Sequence, residues 1–273
     1  MDATERPGSV NRAHWDALAE VHAHGTSTYY DLDALAGGAS SLSAIEREGV
    51  SRAVGDVAGK DVLHLQCHLG LDAVSLTRTG ARVTGVDFSA TAFDQARAIA
   101  ARCGVDVAFV QADATDLPPA LHGRFDLVYA TIGILTWIED LDAWMRSAHG
   151  ALRPGGRLLL VDVHPLFAMF ASLDPLKADF PYASAGPVHL DDPGSYADAT
   201  AAVSATATVE FAHSLGEIVT AAVGSGLRVE RVDEHLECEF DPRGALSAEQ
   251  DGLFRFRLGG LPAPMLYTLI AAA

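Results

Sequence analysis

From residue 60 onward, short apolar runs alternate with stretches in which apolar residues recur every three to four positions. A short continuous apolar run is a strand buried on both faces, and the 3.6 period is one stripe of a helix. This pattern predicts strands at Val62–Cys67, Arg82–Phe88, Val107–Asp113, Phe125–Thr131 and Arg157–His164. Helices are expected between them at Asp72–Thr79, Ala90–Cys103 and Leu141–Leu152. Such alternation defines an α/β fold, a parallel sheet with helices on both faces. "LRPGG", Leu152–Gly156, reads as a helix stop and a tight turn into the fifth strand. Near the end come a strand in "ATVEF", a helix at Leu215–Gly224, a strand at Leu227–His235 and a closing strand in "PMLYTLIAA".

Two stretches do not follow the pattern. Residues 166–200 carry four prolines, several Asp and Gly, and no clear period. A connection of that length inside a compact domain is usually functional. Before the sheet, Asn11–Ala23 reads as a helix with Trp15 and Leu18 on one side, and Ser43–Glu46 as a capping box opening another. The expected organisation is a helical lid over residues 1–59 and one domain over 60–273, with 166–200 as an insertion on the acceptor side. Both extra segments should flank the carboxyl edge of the sheet, where open α/β sheets bind ligands.

Charge and cysteine usage narrow the partners. The 273 residues include 36 acidic and 19 basic side chains, a formal net charge of −17. Such a field repels phosphate backbones and anionic lipid, so nucleic acid and membrane are not expected as partners. A neutral or positively charged small molecule suits it better. Cys67, Cys103 and Cys238 are odd in number and far apart, with no metal spacing and no disulfide framework. With no apolar signal core and no run of ~20 apolar residues, a cytoplasmic protein is expected.

The candidate chemistry lies in "VLHLQCHLGLDAVSLTRTGARVTGVDFS", Val62–Ser89: strand, turn, helix, strand, acid. A pyrophosphate requires close backbone approach, which G-x-G-x-x-G provides. Here Gln66 and His68 stand beside a single glycine, Gly70, so NAD and FAD are disfavoured. Asp87, at the end of the second strand, is placed to accept from both ribose hydroxyls. Asp113, after the third, can accept from an exocyclic amine. Together these describe an adenosine-shaped slot that needs no phosphate. The competing reading has Asp87 and Asp113 simply capping the helices that follow.

In these segments, together with "VAFVQADATDLP" and "RFDLVYATIGILTWIEDLDAWMRSAHGALRPGGRLLLVDVHP", the chain resembles the class I S-adenosylmethionine-dependent methyltransferases, in particular bacterial small-molecule, secondary-metabolite members. The resemblance implies a Rossmann-like, doubly wound, seven-stranded sheet, mostly parallel with the last strand antiparallel. It implies S-adenosyl-L-methionine as cofactor. It places His64–Gly70 as the glycine-rich loop, with His64 where many members have an acid. It assigns Asp87 to the ribose, Phe88 to the adenine face, and Ala112, Asp113 and Ala114 to the adenine edge. Thr131 and Ile132 fall beside the methionine portion. Gln66, His68, Gly70 and Tyr30 complete the expected cofactor contacts.

Methyl transfer from a sulfonium is an in-line displacement in which the protein supplies alignment and desolvation. A base is required where the acceptor must lose a proton. His164 in "VDVHP" is the catalytic candidate, with Asp162 two residues earlier to orient it. The alternative is a histidine bonded to backbone before Pro165. Tyr29 and Tyr30 are candidates to cover the site; Trp15 and Trp137 read as packing residues. The acceptor atom is open among O, N and nucleophilic C. The competing functions are a nicotinamide-dependent oxidoreductase and a non-catalytic ligand-binding protein on the same fold.

Overall fold

The computed structural model describes residues 6–24, 30–198, 201–241 and 246–273. Seven strands form one sheet: β1 (Asp61–Leu65), β2 (Arg82–Asp87), β3 (Ala108–Gln111), β4 (Phe125–Thr131), β5 (Leu152–Val163), β10 (Arg228–His235) and β13 (Leu266–Ala272). Their order across the sheet is β10-β13-β5-β4-β1-β2-β3. β13 runs antiparallel to both of its neighbours, and the other six strands are parallel. The order reverses between β4 and β1, and such a switch point opens a crevice beyond the carboxyl ends of the strands.

Eight helices are described: α1 (Pro7–His24), α2 (Leu32–Ala36), α3 (Ala44–Val54), α4 (Leu71–Arg78), α5 (Ala90–Arg102), α6 (Leu141–Ala151), α7 (Pro165–Ala168) and α8 (Leu215–Gly224). On one face of the sheet Trp144 and Met145 of α6 and Ile218 and Ala222 of α8 pack on Leu63, Val128 and Leu160. On the other face Val50 of α3, Val74 of α4 and Ile99 of α5 pack on Val62, Leu127 and Leu159. Successive strand residues feed opposite layers, so both faces of the central strands are apolar. Gly49 lets α3 approach closely; a Cβ there would lie 2.9 Å from Leu159 Cδ1.

The central strands and helices match the sequence pattern closely, and the departures are local. "LRPGG" is not a turn outside the sheet. Leu152 already pairs with Phe125, and the chain bulges before Arg157 pairs with Leu127. Gly156 sits at that bulge because a Cβ would lie 2.7 Å from the Phe125 carbonyl oxygen. The 166–200 stretch is also more regular than its sequence indicates. It holds α7, the hairpin β6 (Phe170–Leu173)–β7 (Leu176–Ala178), and β8 (Val188–Asp191), which pairs with β9 (Ala207–Glu210). A further hairpin, β11 (Phe256–Leu258)–β12 (Leu261–Ala263), covers a small cluster around Phe167 and Met265.

The first helix is held by β9 and the segment before it, and β9 pairs with β8 of the insertion. The Asn11 side-chain amide donates to the Val209 carbonyl at 2.8 Å and accepts from its N–H at 2.8 Å. It thus satisfies an edge of β9 as a further strand would. His14 Nδ1 lies 2.7 Å from the Ala205 carbonyl.

Candidate active site

A cavity of about 1360 Å³ opens over the carboxyl ends of β1, β2, β4 and β5. Its floor includes Gln66–Asp72, Asp87, Phe88, Thr131–Trp137 and Asp162. Its far wall comes from the insertion, from residues 210–213 and from residues 239–241 with Leu246 and Phe254, and Tyr182, Leu190, Phe211 and Phe240 are among its apolar groups. Trp15 and Tyr30 close it from the lid side.

The glycine-poor turn keeps a glycine-like backbone. Gln66 (φ 53°) and His68 (φ 46°) are both left-handed, as is Gly70 (φ 71°). For a residue with a Cβ that conformation costs about 1–2 kcal/mol, and side-chain bonds offset it. Gln66 Nε2 donates to the Ile134 carbonyl at 3.1 Å, and its Oε1 accepts from Trp144 Nε1 at 2.8 Å. The His68 N–H donates to Asp87 Oδ2 at 2.9 Å, and its Nε2 meets His22 Nδ1 at 2.8 Å. At Gly70 a Cβ would press on the Phe109 ring at 3.1 Å.

Asp87 is buried at the end of β2, and Oδ1 accepts from the Ser89 N–H at 2.9 Å. Burial pushes its carboxyl above the usual range, opposed by these N–H donors. Asp87 does not cap α5; Ser89 does, accepting from the Ala92 N–H. Phe88 stands half-buried in the cavity wall with the Arg12 guanidinium 5.7 Å from its ring centroid. Asp113 and Ala114 are not brought to the cavity. Asp113 is exposed, and its Oδ1 accepts from the Thr115 N–H and hydroxyl in a local turn.

The expected Asp162–His164 pair does not form. Asp162 is buried and accepts from four backbone N–H groups: Gly133, Ile134 (3.4 Å), Leu135 (3.0 Å) and Val163 (2.7 Å). It anchors the loop after β4. His164 is not part of the cavity lining. Its Nδ1 accepts from the Leu166 N–H at 3.1 Å as the cap of α7, and its Nε2 lies 2.8 Å from Glu234 Oε1. Pro165 fixes the chain so that the imidazole turns back over its own helix start. The catalytic assignment of these two residues therefore lacks its geometric basis.

Tyr30 lies where the lid meets the insertion. Its hydroxyl is 2.5 Å from that of Tyr196, and its ring stacks on His22 at 4.6 Å. His22 also meets Ser195 Oγ at 3.0 Å. Burial, with His14 nearby, drops His22 to about 4, so the ring is neutral at physiological pH. Tyr29 lies outside the described residues. Trp15 and Trp137 pack edge to face at 5.3 Å.

A polar cluster on the α3–α4 side was not legible in the sequence. Tyr129 Oη lies 3.0 Å from Glu46 Oε1 and 3.1 Å from Asp72 Oδ2. Asp72 Oδ2 also accepts from Thr131 Oγ1 at 3.3 Å, and Oδ1 from Ser41 at 2.6 Å. Burial and the neighbouring Asp72 raise Glu46 to about 7. His64 packs on Tyr129 at 5.0 Å, and its buried Nδ1 has no hydrogen-bond partner. The capping box at Ser43–Glu46 accounts for Glu46 locally, which hid its second role.

An open, mostly parallel sheet with a cavity at the switch point and a carboxylate closing its second strand defines a Rossmann-like fold. A family model described as a methyltransferase domain matches residues 62–156. The chain is 31% identical over 143 residues to the ubiquinone biosynthesis O-methyltransferase of Xanthomonas euvesicatoria, covering 52% of this chain and 59% of that protein. It is 37% identical over 165 residues to the demethylmenaquinone methyltransferase of Clavibacter sepedonicus, covering 59% and 60%. The chain thus spans a little under two thirds of these curated relatives' length. The crystal structure of an S-adenosylmethionine-dependent methyltransferase from Mesorhizobium loti shares the fold, with a TM-score of 0.57 at 23% identity, over 87% of this chain and 100% of that one. Residues 62–156 thus match a methyltransferase domain, and the chain shares its fold with S-adenosylmethionine-dependent methyltransferases.

Proposed function

We propose that the protein transfers a methyl group from S-adenosylmethionine to oxygen, nitrogen or a nucleophilic carbon of a small molecule, with natural-product biosynthesis as the setting and the cytoplasm as the place. One observation carries the reading. Asp87 faces the cavity beside a turn whose own His68 N–H it already holds. A pyrophosphate would need that N–H, whereas ribose hydroxyls need the carboxylate, which has lone pairs left over. This disfavours the nicotinamide alternative.

The residues present fit an adenosyl cofactor. Asp87 takes the ribose hydroxyls, Phe88 offers an aromatic face, and the Gln66–Gly70 backbone approaches the amino-acid end. When bound, the cofactor supplies an activated methyl on a sulfonium. The protein's part is to exclude water and align the acceptor. Residues 1–59 and the 166–200 insertion form the lid over a domain spanning 60–273. The cavity exceeds the ~300–1,000 Å³ of a typical single-ligand pocket, leaving room for an acceptor against Tyr182, Leu190, Phe211 and Phe240. Among the described residues, nine acidic ones line it against Arg47 as the single lysine or arginine. That balance favours a neutral or cationic acceptor over a phosphorylated one. The ubiquinone and demethylmenaquinone relatives make quinone-type molecules the first to try.

Calorimetry with S-adenosylhomocysteine and with NAD⁺ tests the reading. Binding of the first and not the second is expected. The reverse pattern would sink it.

A further inference from the structure

The cluster around Tyr129 contains a hydrogen-counting problem. A phenol has one O–H hydrogen. The Tyr129 oxygen nonetheless lies within hydrogen-bond distance of two carboxyl oxygens, Glu46 Oε1 at 3.0 Å and Asp72 Oδ2 at 3.1 Å. One hydrogen serves one of them. The other contact would set lone pair against lone pair unless that carboxyl carries a proton and donates back. Burial and the neighbouring Asp72 hold Glu46 toward its neutral form, so Glu46 is the carboxyl that carries the proton and donates back to the Tyr129 oxygen.

Among the described residues, the groups around the pair begin with the Ser41 hydroxyl, which donates to Asp72 Oδ1 at 2.6 Å, and Glu239, which accepts from the Ala44 N–H at 2.9 Å at the start of α3. α3 contributes Glu46 itself, whose Oε2 accepts from the Ser43 N–H at 2.7 Å. Its neighbour Arg47 is turned to the Leu42 carbonyl. α4 contributes Asp72 and Ser75, β4 contributes Tyr129 and Thr131, and β1 contributes His64. β5 presents Leu159 and Val161 to this layer. Arg47 is thus the nearby cation, and its hydrogen bond goes elsewhere.

A second observation points to a ligand at this place. His64 is 3% exposed, lines the same cavity, and has no partner for Nδ1. Burial drops its imidazole to about 4, so the ring is neutral at physiological pH. A buried polar atom with no partner costs about 1–3 kcal/mol. It is an acceptor or donor awaiting something that enters the cavity.

We propose that Glu46, Asp72 and His64 form a proton-linked subsite for a primary ammonium, the one on the amino-acid end of the adenosyl cofactor. The inference rests on the cofactor reading given above. An ammonium has three N–H donors, and the cluster offers acceptors on three side chains. On entry the ammonium replaces the Glu46 proton, which leaves to solvent. One positive charge is exchanged for another, and the buried pair is never left with two uncompensated charges. The sequence places histidine at position 64 where many family members carry an acid, and here the acids come from α3 and α4 instead. The raised acidity range of Glu46, about 7, puts the exchange near neutral pH.

The experiment is calorimetry of S-adenosylhomocysteine binding in two buffers of different ionisation enthalpy, from pH 5.5 to 8. Release of about one proton per ligand is expected below pH 7, with affinity rising up to ~tenfold per pH unit and levelling above it. 5′-Methylthioadenosine, which lacks the amino-acid end, should bind without release. Glu46→Gln keeps an acceptor for the Ser43 N–H and should bind S-adenosylhomocysteine with no release. Tyr129→Phe, which removes the bridge, is the second variant and should reduce the release. Binding of S-adenosylhomocysteine by the unaltered protein without proton release overturns the inference and leaves the cofactor reading standing. So does release that persists in Glu46→Gln, or equal release with 5′-methylthioadenosine. Absence of any S-adenosylhomocysteine binding overturns the cofactor reading and this inference with it.

Discussion

The loops after β1 and after β4 are built alike, and each is pinned by a buried aspartate from the adjacent strand. Asp87 at the end of β2 holds the turn at His68; Asp162 near the end of β5 holds the turn at Gly133–Leu135. The difference lies in what each has left over. A carboxylate offers about four lone-pair sites. Asp162 accepts four backbone N–H groups and is saturated. Asp87 accepts from His68 and Ser89 side by side with the open cavity, and retains capacity for a ligand. Two aspartates in equivalent places thus differ in acceptor capacity: Asp162 is a structural anchor, and Asp87 is the proposed binding group, separated from it by hydrogen-bond count and not by position.

The comparison breaks most visibly at Asp162. Asp162→Ala leaves several buried N–H groups without a partner, and a stability loss of roughly 3 kcal/mol is expected from chemical denaturation. A loss below about 1 kcal/mol would show that water replaces the carboxylate and that the loop is not anchored there. Asp87→Ala should act chiefly on binding, weakening S-adenosylhomocysteine by about 1–3 kcal/mol in calorimetry. Unchanged affinity would reduce Asp87 to a second anchor and erase the contrast. The smallest effect is expected at His164, beside Asp162 but outside the cavity. His164→Ala removes the cap of α7 and should cost about 1 kcal/mol of stability, with S-adenosylhomocysteine affinity unchanged. A large loss of affinity at constant stability would return His164 to the site.

The sheet was legible because its signal is local and repeated. Apolar runs such as Val62–Leu65 and Leu158–Val161 are short, buried on both faces and separated by helices of clear period. Asp87 was legible because a strand end fixes where its side chain must go. The roof was not. β6, β7, β8, β11 and β12 are three or four residues each, too short to establish a period of two. Their packing onto β9 and Phe167 is decided by distant chain. His164 misled because strand alternation predicts a direction up to the last paired residue, and Pro165 redirects the chain immediately after it. Glu46 misled in the opposite way. Its place in the capping box is real, yet one carboxylate serves both the Ser43 N–H and the Tyr129 hydroxyl. Nothing in the local sequence announces a partner 83 positions away.

The amide bridge between Asn11 and Val209 has a consequence for synthesis of the chain. The two residues are 198 positions apart. Ribosomes add ~5–20 residues per second, so α1 exists for roughly 10–40 s before the strand it docks on has been made. During that interval Val10 has no partner from β9, while the parallel strands are still being threaded into order. α1 is therefore translated well before β9, and this contact between lid and roof forms only after the strands that carry the cavity floor have been made.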